Sequence, residues 1–341
     1  MTDIPLHAKP AARFKRRIIT IPLYVFIFHV LWICAPILFL LTICMDLCSG
    51  AQKLPRARVV LFVMIYFALN LAAMTALLCT WAFYGAWWRA DKSRFIDTDA
   101  WIQRMWTSTA FNLAKRLFEV TLIVDGQDVA AKGPLLLFLR HTSLTDTLLG
   151  AIYVANPNKI LLRYALKDEL LWDPGIDIIA HRLPNAFLRR GGDKDADIKE
   201  IKNLAEGLGP QDGVIMYPEG TRFTTKKREK AIKRLQESNS LPAEIIIMAK
   251  QMKHVLPPRF GGPLALLAAT QNTDVVFCAH TGLENTNSFS HLWRGGLMGT
   301  TVRVHFWRIP AEEIPKEAAE QIRWLCGEWL KVDSWVAKHK S

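Results

Sequence analysis

Two stretches of this 341-residue chain, 18–45 and 59–88, contain no Asp, Glu, Lys or Arg. Each exceeds the ~20 residues needed to cross a bilayer, and a soluble core helix of that length and apolarity is unusual. The first run is too long for a secretory leader, and a second follows closely. Cysteine is sparse and irregular. Cys34, Cys44, Cys48, Cys79, Cys278 and Cys326 show neither metal-ligand nor disulfide spacing, so they read as small apolar fillers. No metal site is expected. The chain has no G-x-S-x-G, so the strained serine elbow of many hydrolases has no candidate. Internal repeats, low-complexity tracts and nucleic-acid motifs are also missing.

Acidic residues are outnumbered, 31 against 43 Lys and Arg, for a net charge of +12. A basic surface suits nucleic acid, an anionic membrane or an anionic substrate. Two apolar runs favour the last two. Lys9, Arg13, Lys15, Arg16 and Arg17 precede the first run, and Arg89, Lys92 and Arg94 follow the second. Only Lys53, Arg56 and Arg58 lie between them. That bias predicts a two-helix transmembrane hairpin over 1–95 with both ends in the cytoplasm. Residues 96–341 then form a domain on the cytoplasmic face of a bacterial inner membrane or an endoplasmic reticulum. Pro22 and Pro36 are candidate kinks in the first helix or marks of a re-entrant shape. Lys226 to Lys230, continued by Lys233 and Arg234, reads either as a solvated helix face or as a surface for anionic headgroups.

From residue 119 apolar runs alternate with helical patterns. Segments 119–124, 135–139, 160–164, 176–180, 214–217, 275–279 and 301–307 read as strands. Ile198, Ile201, Leu204 and Leu208 mark one helix face, and 262–269 and 318–330 are further helices. Such alternation predicts an α/β fold, a layered mixed sheet flanked by helices.

Two polar turns follow apolar runs, where open α/β sheets place their ligand sites. The first holds His141 and Asp146. On a regular helix these side chains would point about 140° apart. They meet only if His141 sits in a loop and Asp146 in the first helical turn, with Thr142 or Ser143 as cap and Leu144, Leu148 and Leu149 opening an apolar face. Asp146 would then fix the imidazole tautomer and leave the other nitrogen as a base. A structural histidine beside a helix-start aspartate explains the same residues. The second turn is Tyr217-Pro218-Glu219-Gly220-Thr221-Arg222. Glycine permits a sharp turn and close approach of a ligand, and arginine grips phosphate or carboxylate with two parallel donors. An ordinary surface connection is the competing reading.

H-x-x-x-x-D followed by P-E-G-T-R resembles the glycerolipid acyltransferases, the family of 1-acylglycerol-3-phosphate (lysophosphatidic acid) acyltransferases. Lys167-Asp168-Glu169-Leu170 is similar to the family's K-x-E-L, and Phe187-Leu188-Arg189-Arg190 to its aromatic-basic block. Thr221 to Lys227 and Leu256 to Gly262 are similar to the eukaryotic-type branch. Arg140 stands where the family usually has Asn, and Tyr217 where Phe or Val is commoner. The resemblance implies acyl transfer from acyl-CoA or acyl-carrier protein to a lysophospholipid hydroxyl, at a membrane, with no cofactor beyond that co-substrate. It implies His141 as base, oriented by Asp146. Arg222 would bind the acceptor phosphate with Arg189 or Arg190, in a site shaped by Glu219, Gly220 and Thr221. Pro257, Pro258 and Arg259 would line the acyl or donor side. Glycerol-3-phosphate or another lysolipid as acceptor, a thioesterase or lipase, and an idle membrane scaffold are the alternatives.

Overall fold

A computed structural model describes residues 10–85, 92–143, 145–189, 191–238, 241–270, 272–286 and 288–340. Lys9, Arg89, Leu144 and Arg190, which entered the sequence reading, lie outside the described residues.

Seven strands form one sheet: β1 (Thr121–Asp125), β2 (Leu135–Leu139), β3 (Leu161–Lys167), β4 (Ala186–Leu188), β5 (Asp212–Met216), β6 (Asp274–Thr281) and β7 (Thr301–Ile309). Their order is β1-β7-β6-β2-β5-β3-β4. Neighbours from β6 across to β4 pair in parallel, β7 runs antiparallel to β6, and β1 is parallel to β7. The sheet is mixed, as the sequence predicts. All residues of β2 are fully buried, because helices cover both faces. Leu136 and Phe138 pack into one core with Ile201, Leu266 and Trp329. Leu135, Leu137 and Leu139 pack into the other with Leu149, Val154 and Phe118. That explains a strand with no polar alternation.

Segment 176–180, expected as a strand, is helical instead (Pro174–Ala180). Asp173 caps it by accepting from Ile176 N at 3.0 Å, and Pro174 occupies the first turn. The apolar run is too short for its period to separate helix from strand, and the Asp-Pro start signal decides. The three-residue strand β4 was not foreseen.

The N-terminal region differs more. The first apolar run forms two helices, α1 (Pro10–Ile33) and α2 (Ala35–Cys48), broken at Cys34 just before Pro36. Residues 59–80 of the second run lie in α3 (Pro55–Thr80), its last three, 86–88, lie outside the described residues, and α4 (Lys92–Leu117) follows. Pro10–Ile33 and Pro55–Tyr84 are long and apolar enough to cross a membrane. Yet α3 is not surrounded by solvent or lipid. It lies along α4 and packs on the helix Pro174–Ala180, burying Val59, Met64, Met74 and Leu77. Both of its ends touch the α/β domain. In the loop before it, Lys53 donates to Glu119 at 2.7 Å, and Arg58 at its start donates to Glu119 at 2.8 Å. At the head of α1, Arg16 and Arg17 both pair with the buried Asp177. The sequence reading put the loop across the bilayer from the domain. The structure puts loop and domain in contact. Exposed apolar side chains cover α1 and α2, among them Phe14, Leu23, Phe26, Ile37 and Leu40, and continue at the end of α3 and just beyond it with Leu78, Trp81 and Phe83.

Candidate active site

Parallel strands bring their following loops to one edge of the sheet, which is why two turns far apart in sequence meet. His141 lies two residues beyond β2, and Tyr217 one beyond β5, the neighbouring strand. Phe223 N donates to His141 O at 2.9 Å, tying the turns together.

His141 Nδ1 is 2.9 Å from Asp146 Oδ1. A carboxylate accepts, so this geometry assigns the proton to Nδ1 and leaves Nε2 as the basic nitrogen. His141 is partly exposed and Asp146 fully buried. The loop wraps the carboxylate. Asp146 Oδ2 accepts from Thr142 N at 2.6 Å and Ser143 N at 2.8 Å. Ser143 Oγ in turn accepts from Asp146 N at 3.1 Å and Thr145 N at 3.2 Å. Ser143 Oγ thus satisfies two N–H groups of the loop, while the residue at the N-cap of the short helix Thr147–Gly150 is Asp146 rather than the expected Thr142 or Ser143. Burial alone would push the Asp146 carboxyl up. The His141 hydrogen bond, the two imidazoles beside it and Ser143 N–H outweigh that and hold it below its ordinary value. The Tyr217 ring packs on the imidazole, centroids 4.6 Å apart.

Glu219 points inward rather than to the opening. Its carboxylate is buried and accepts from His141 N at 3.1 Å and Leu256 N at 3.2 Å. It is a strut between the histidine loop and the loop after residue 252. Burial pushes its pKa up to about 8, offset only partly by the Arg140 charge and the two N–H donors. Gly220 has φ +65°, and a Cβ there would meet Arg259 Cδ at 2.8 Å. Only glycine fits that turn. Arg259 lies over it, with its N–H donating to Pro218 O at 2.8 Å. Thus Arg259 sits against the P-E-G-T-R turn, while Pro257 and Pro258 are buried behind it. Lys227 Nζ donates to Thr221 Oγ1 and Arg222 O, each at 3.0 Å, holding the half-buried Arg222 backbone. Arg189 follows β4, three strands from β2, about 14 Å at ordinary strand spacing. It is exposed, and it is not brought to the dyad. Arg190 lies outside the described residues. Among the described residues no group of three or more His, Cys, Asp or Glu side chains converges as a metal site would.

Three participants escaped sequence reasoning. Arg140 is buried and donates to the His280 and His254 carbonyls and, at 2.7 Å, to Glu284 Oε1. Burial opposes the Glu284 charge, but Arg140 overcomes it and holds that carboxyl at about 2. His280 lies at the end of β6, behind Asp146. A histidine ending an apolar run, as His141 does, was the available signal.

Residues 121–257 match the family model described as Acyltransferase. Lysophosphatidylinositol acyltransferase 10 of Caenorhabditis elegans is 24% identical over 240 residues, 66% of this chain and 57% of that protein. The 1-acyl-sn-glycerol-3-phosphate acyltransferase epsilon of Mus musculus is 22% identical over 217 residues, 60% of this chain and 58% of that protein. The chain thus spans less than two thirds of either curated relative. The crystal structure of the 1-acyl-sn-glycerophosphate (LPA) acyltransferase PlsC from Thermotoga maritima superposes with TM-score 0.50 at 16% identity, covering 83% of this chain and 99% of that one. At that identity the likeness concerns the fold. The family match runs from the first residue of β1 into the Leu256 loop and contains the dyad and the P-E-G-T-R turn, so residues 121–257 carry an Acyltransferase family domain.

Proposed function

We propose that this protein is a membrane-associated O-acyltransferase. It moves an acyl chain from a thioester, acyl-CoA or acyl-carrier protein, to the free hydroxyl of a lysophospholipid. The preferred acceptor is 1-acylglycerol-3-phosphate, which would give phosphatidic acid. The observation that carries this reading is the 2.9 Å contact between His141 Nδ1 and the buried Asp146 carboxylate, beside an arginine-bearing glycine turn. His141 Nε2 takes the proton of the acceptor hydroxyl as its oxygen attacks the thioester carbonyl. The C–S bond then breaks, and the departing sulfur receives that proton. A positioned base contributes about 10²–10⁴ in rate. Arg222 binds the acceptor phosphate, with Thr221 and Lys227 fixing its turn. Both curated relatives are named for acyl transfer to a phosphate-bearing lysolipid, which supports that acceptor class.

A serine acyl-enzyme is disfavoured on this geometry. Ser143 is buried, and its hydroxyl is committed to Thr145 and Asp146. The anchor is the apolar surface of α1 and α2. At 14 residues α2 is about 21 Å long, too short for a ~30 Å hydrocarbon core. We therefore place the hairpin in the bilayer from the same side as the domain, the cytoplasmic side, where acyl-CoA and acyl-carrier donors occur. The deciding experiment incubates purified protein in detergent with labelled acyl-CoA or acyl-carrier protein and a panel of lysolipids. Acylated lipid is the expected product. Free acid without acylated lipid would mean a hydrolase.

A further inference from the structure

Asp146 lies between two imidazoles, and only His141 is partly open to solvent. His280 is fully buried. Its Nε2 is 2.9 Å from the Arg140 carbonyl and 3.7 Å from Asp146 Oδ2. A carbonyl can only accept, so Nε2 carries the hydrogen and Nδ1 the lone pair. Nδ1 has no hydrogen-bond partner. Protonation would therefore bury a second N–H with nothing to receive it. The charged groups facing the ring are Asp146, Arg140 and Glu284. Arg140 is itself bound to the His280 carbonyl and to Glu284, so its guanidinium adds positive charge beside the imidazole. Burial and that charge favour the neutral ring, and Asp146 opposes them.

While His280 is neutral, the charge on Asp146 is left to His141. The His280 N–H also fixes the carbonyl of Arg140, the residue just before His141. A charged His280 would compete for the same carboxylate at 3.7 Å. We infer that His280 is a positioning residue of the His141–Asp146 dyad, that it works as the neutral Nε2–H tautomer, and that its protonation limits activity on the acid side. The inference rests on the acyl-transfer reading for its kinetic consequence, but not for the tautomer.

The test compares wild type, His280→Gln and His280→Leu. Glutamine carries an N–H at the position of Nε2 and does not titrate. Leucine removes the donor. Steady-state kinetics across pH 5–9, roughly the window of histidine chemistry, give kcat and both KM values. His280→Leu is expected to lose about tenfold or more in kcat with both KM values within about twofold, since only orientation changes. His280→Gln is expected to recover to within about threefold. Its acid limb should fall with a one-proton slope where wild type falls more steeply. Wild-type kcat in His280→Leu, or an acid limb in His280→Gln identical to wild type, overturns the inference. Nitrogen-15 histidine spectra of the purified protein read the tautomer without turnover. Neutral Nε2–H at pH 7 is expected, and a charged or Nδ1–H ring overturns the inference even if no lysolipid is acylated. Absence of acylation with the expected spectrum would instead sink the proposed function.

Discussion

Asp146 and Glu219 sit at the ends of adjacent strands, equally buried, yet their carboxyls are shifted in opposite directions. Burial pushes both toward the protonated form. Asp146 has an imidazole at 2.9 Å and two backbone N–H groups at 2.6 and 2.8 Å, and it stays below the ordinary carboxylate range. Glu219 has two backbone N–H groups at 3.1 and 3.2 Å and rises to about 8. Depth therefore does not separate the carboxylate to which the proposed mechanism gives a chemical role from one that holds loops. The partner does. An imidazole gains charge during a proton transfer, so the carboxylate facing it is useful as an anion. Backbone amides gain nothing, and their carboxylate is a strut.

Turnover should show the widest gap between the two. His141→Ala and Asp146→Asn are each expected to lower acyl transfer by at least ~10²-fold, about 2.7 kcal/mol in the barrier. A neutral amide cannot stabilise the imidazolium. Expression and membrane recovery should be unchanged. If Asp146→Asn stays within about threefold of wild type, Asp146 is a strut as well and the contrast collapses.

Glu219→Gln should act first on stability. The amide turns one oxygen into a donor facing an N–H, leaving a buried pair mismatched at a cost of about 1–3 kcal/mol. Melting curves against pH sharpen the comparison. The folded pKa of Asp146 is depressed, so its contribution is present above its unfolded value and is lost as pH falls. That of Glu219 is raised, so its contribution is complete below its unfolded value near ~4.3 and is lost as pH rises toward about 8. Asp146→Asn should flatten the acid limb and Glu219→Gln the alkaline one. An unchanged alkaline limb in Glu219→Gln would remove its half of the contrast.

How far these roles were legible in the sequence follows from the range of the interactions. Apolar runs and turn residues are local, so six of the seven expected strands recur in the sheet. The dyad was legible because a loop and a helix start constrain five residues. The role of Glu219 was not, since its partners His141 and Leu256 are set by strand order. Arg140 looked like a departure from the family pattern because Glu284 and His254, its partners, are more than a hundred residues away. Hydropathy reads both apolar runs as candidate spans, and Pro10–Ile33 and Pro55–Tyr84 have the length and apolarity for it, but it counts side chains and is blind to what covers them. The buried face of α3 is made by α4 and the Pro174–Ala180 helix.

Arg222 follows Glu219 in the same turn, and it tests whether that turn meets the substrate through its arginine rather than its carboxylate. Lysine keeps the charge and loses the planar fork. Arg222→Lys should raise the apparent KM for the lysophosphate roughly tenfold, with the donor KM little changed. An uncharged acceptor, if used at all, should respond less. A raised donor KM with an unchanged acceptor KM would assign the turn to the donor's phosphates.

A third carboxylate, Glu119, extends the comparison to the surface. Hydrogen bonds from Lys53 and Arg58 hold its pKa below the usual value, as partners do for Asp146. Here water screens the pairs, and exposed ion pairs contribute little. Lys53→Cys should therefore leave melting temperature and acyl transfer close to wild type. Its use is positional. In a background lacking the native cysteines, Lys53→Cys and, separately, Lys132→Cys at an exposed site of the domain report which side of the membrane each position occupies. Contact between Lys53 and Glu119 at 2.7 Å requires both on the domain's side. An impermeant thiol reagent applied to intact cells should miss both variants, and applied to inside-out vesicles it should label both. Labelling of the Lys53→Cys variant alone in intact cells would mean that α3 crosses the bilayer, and that the Lys53–Glu119 pair does not form in the membrane.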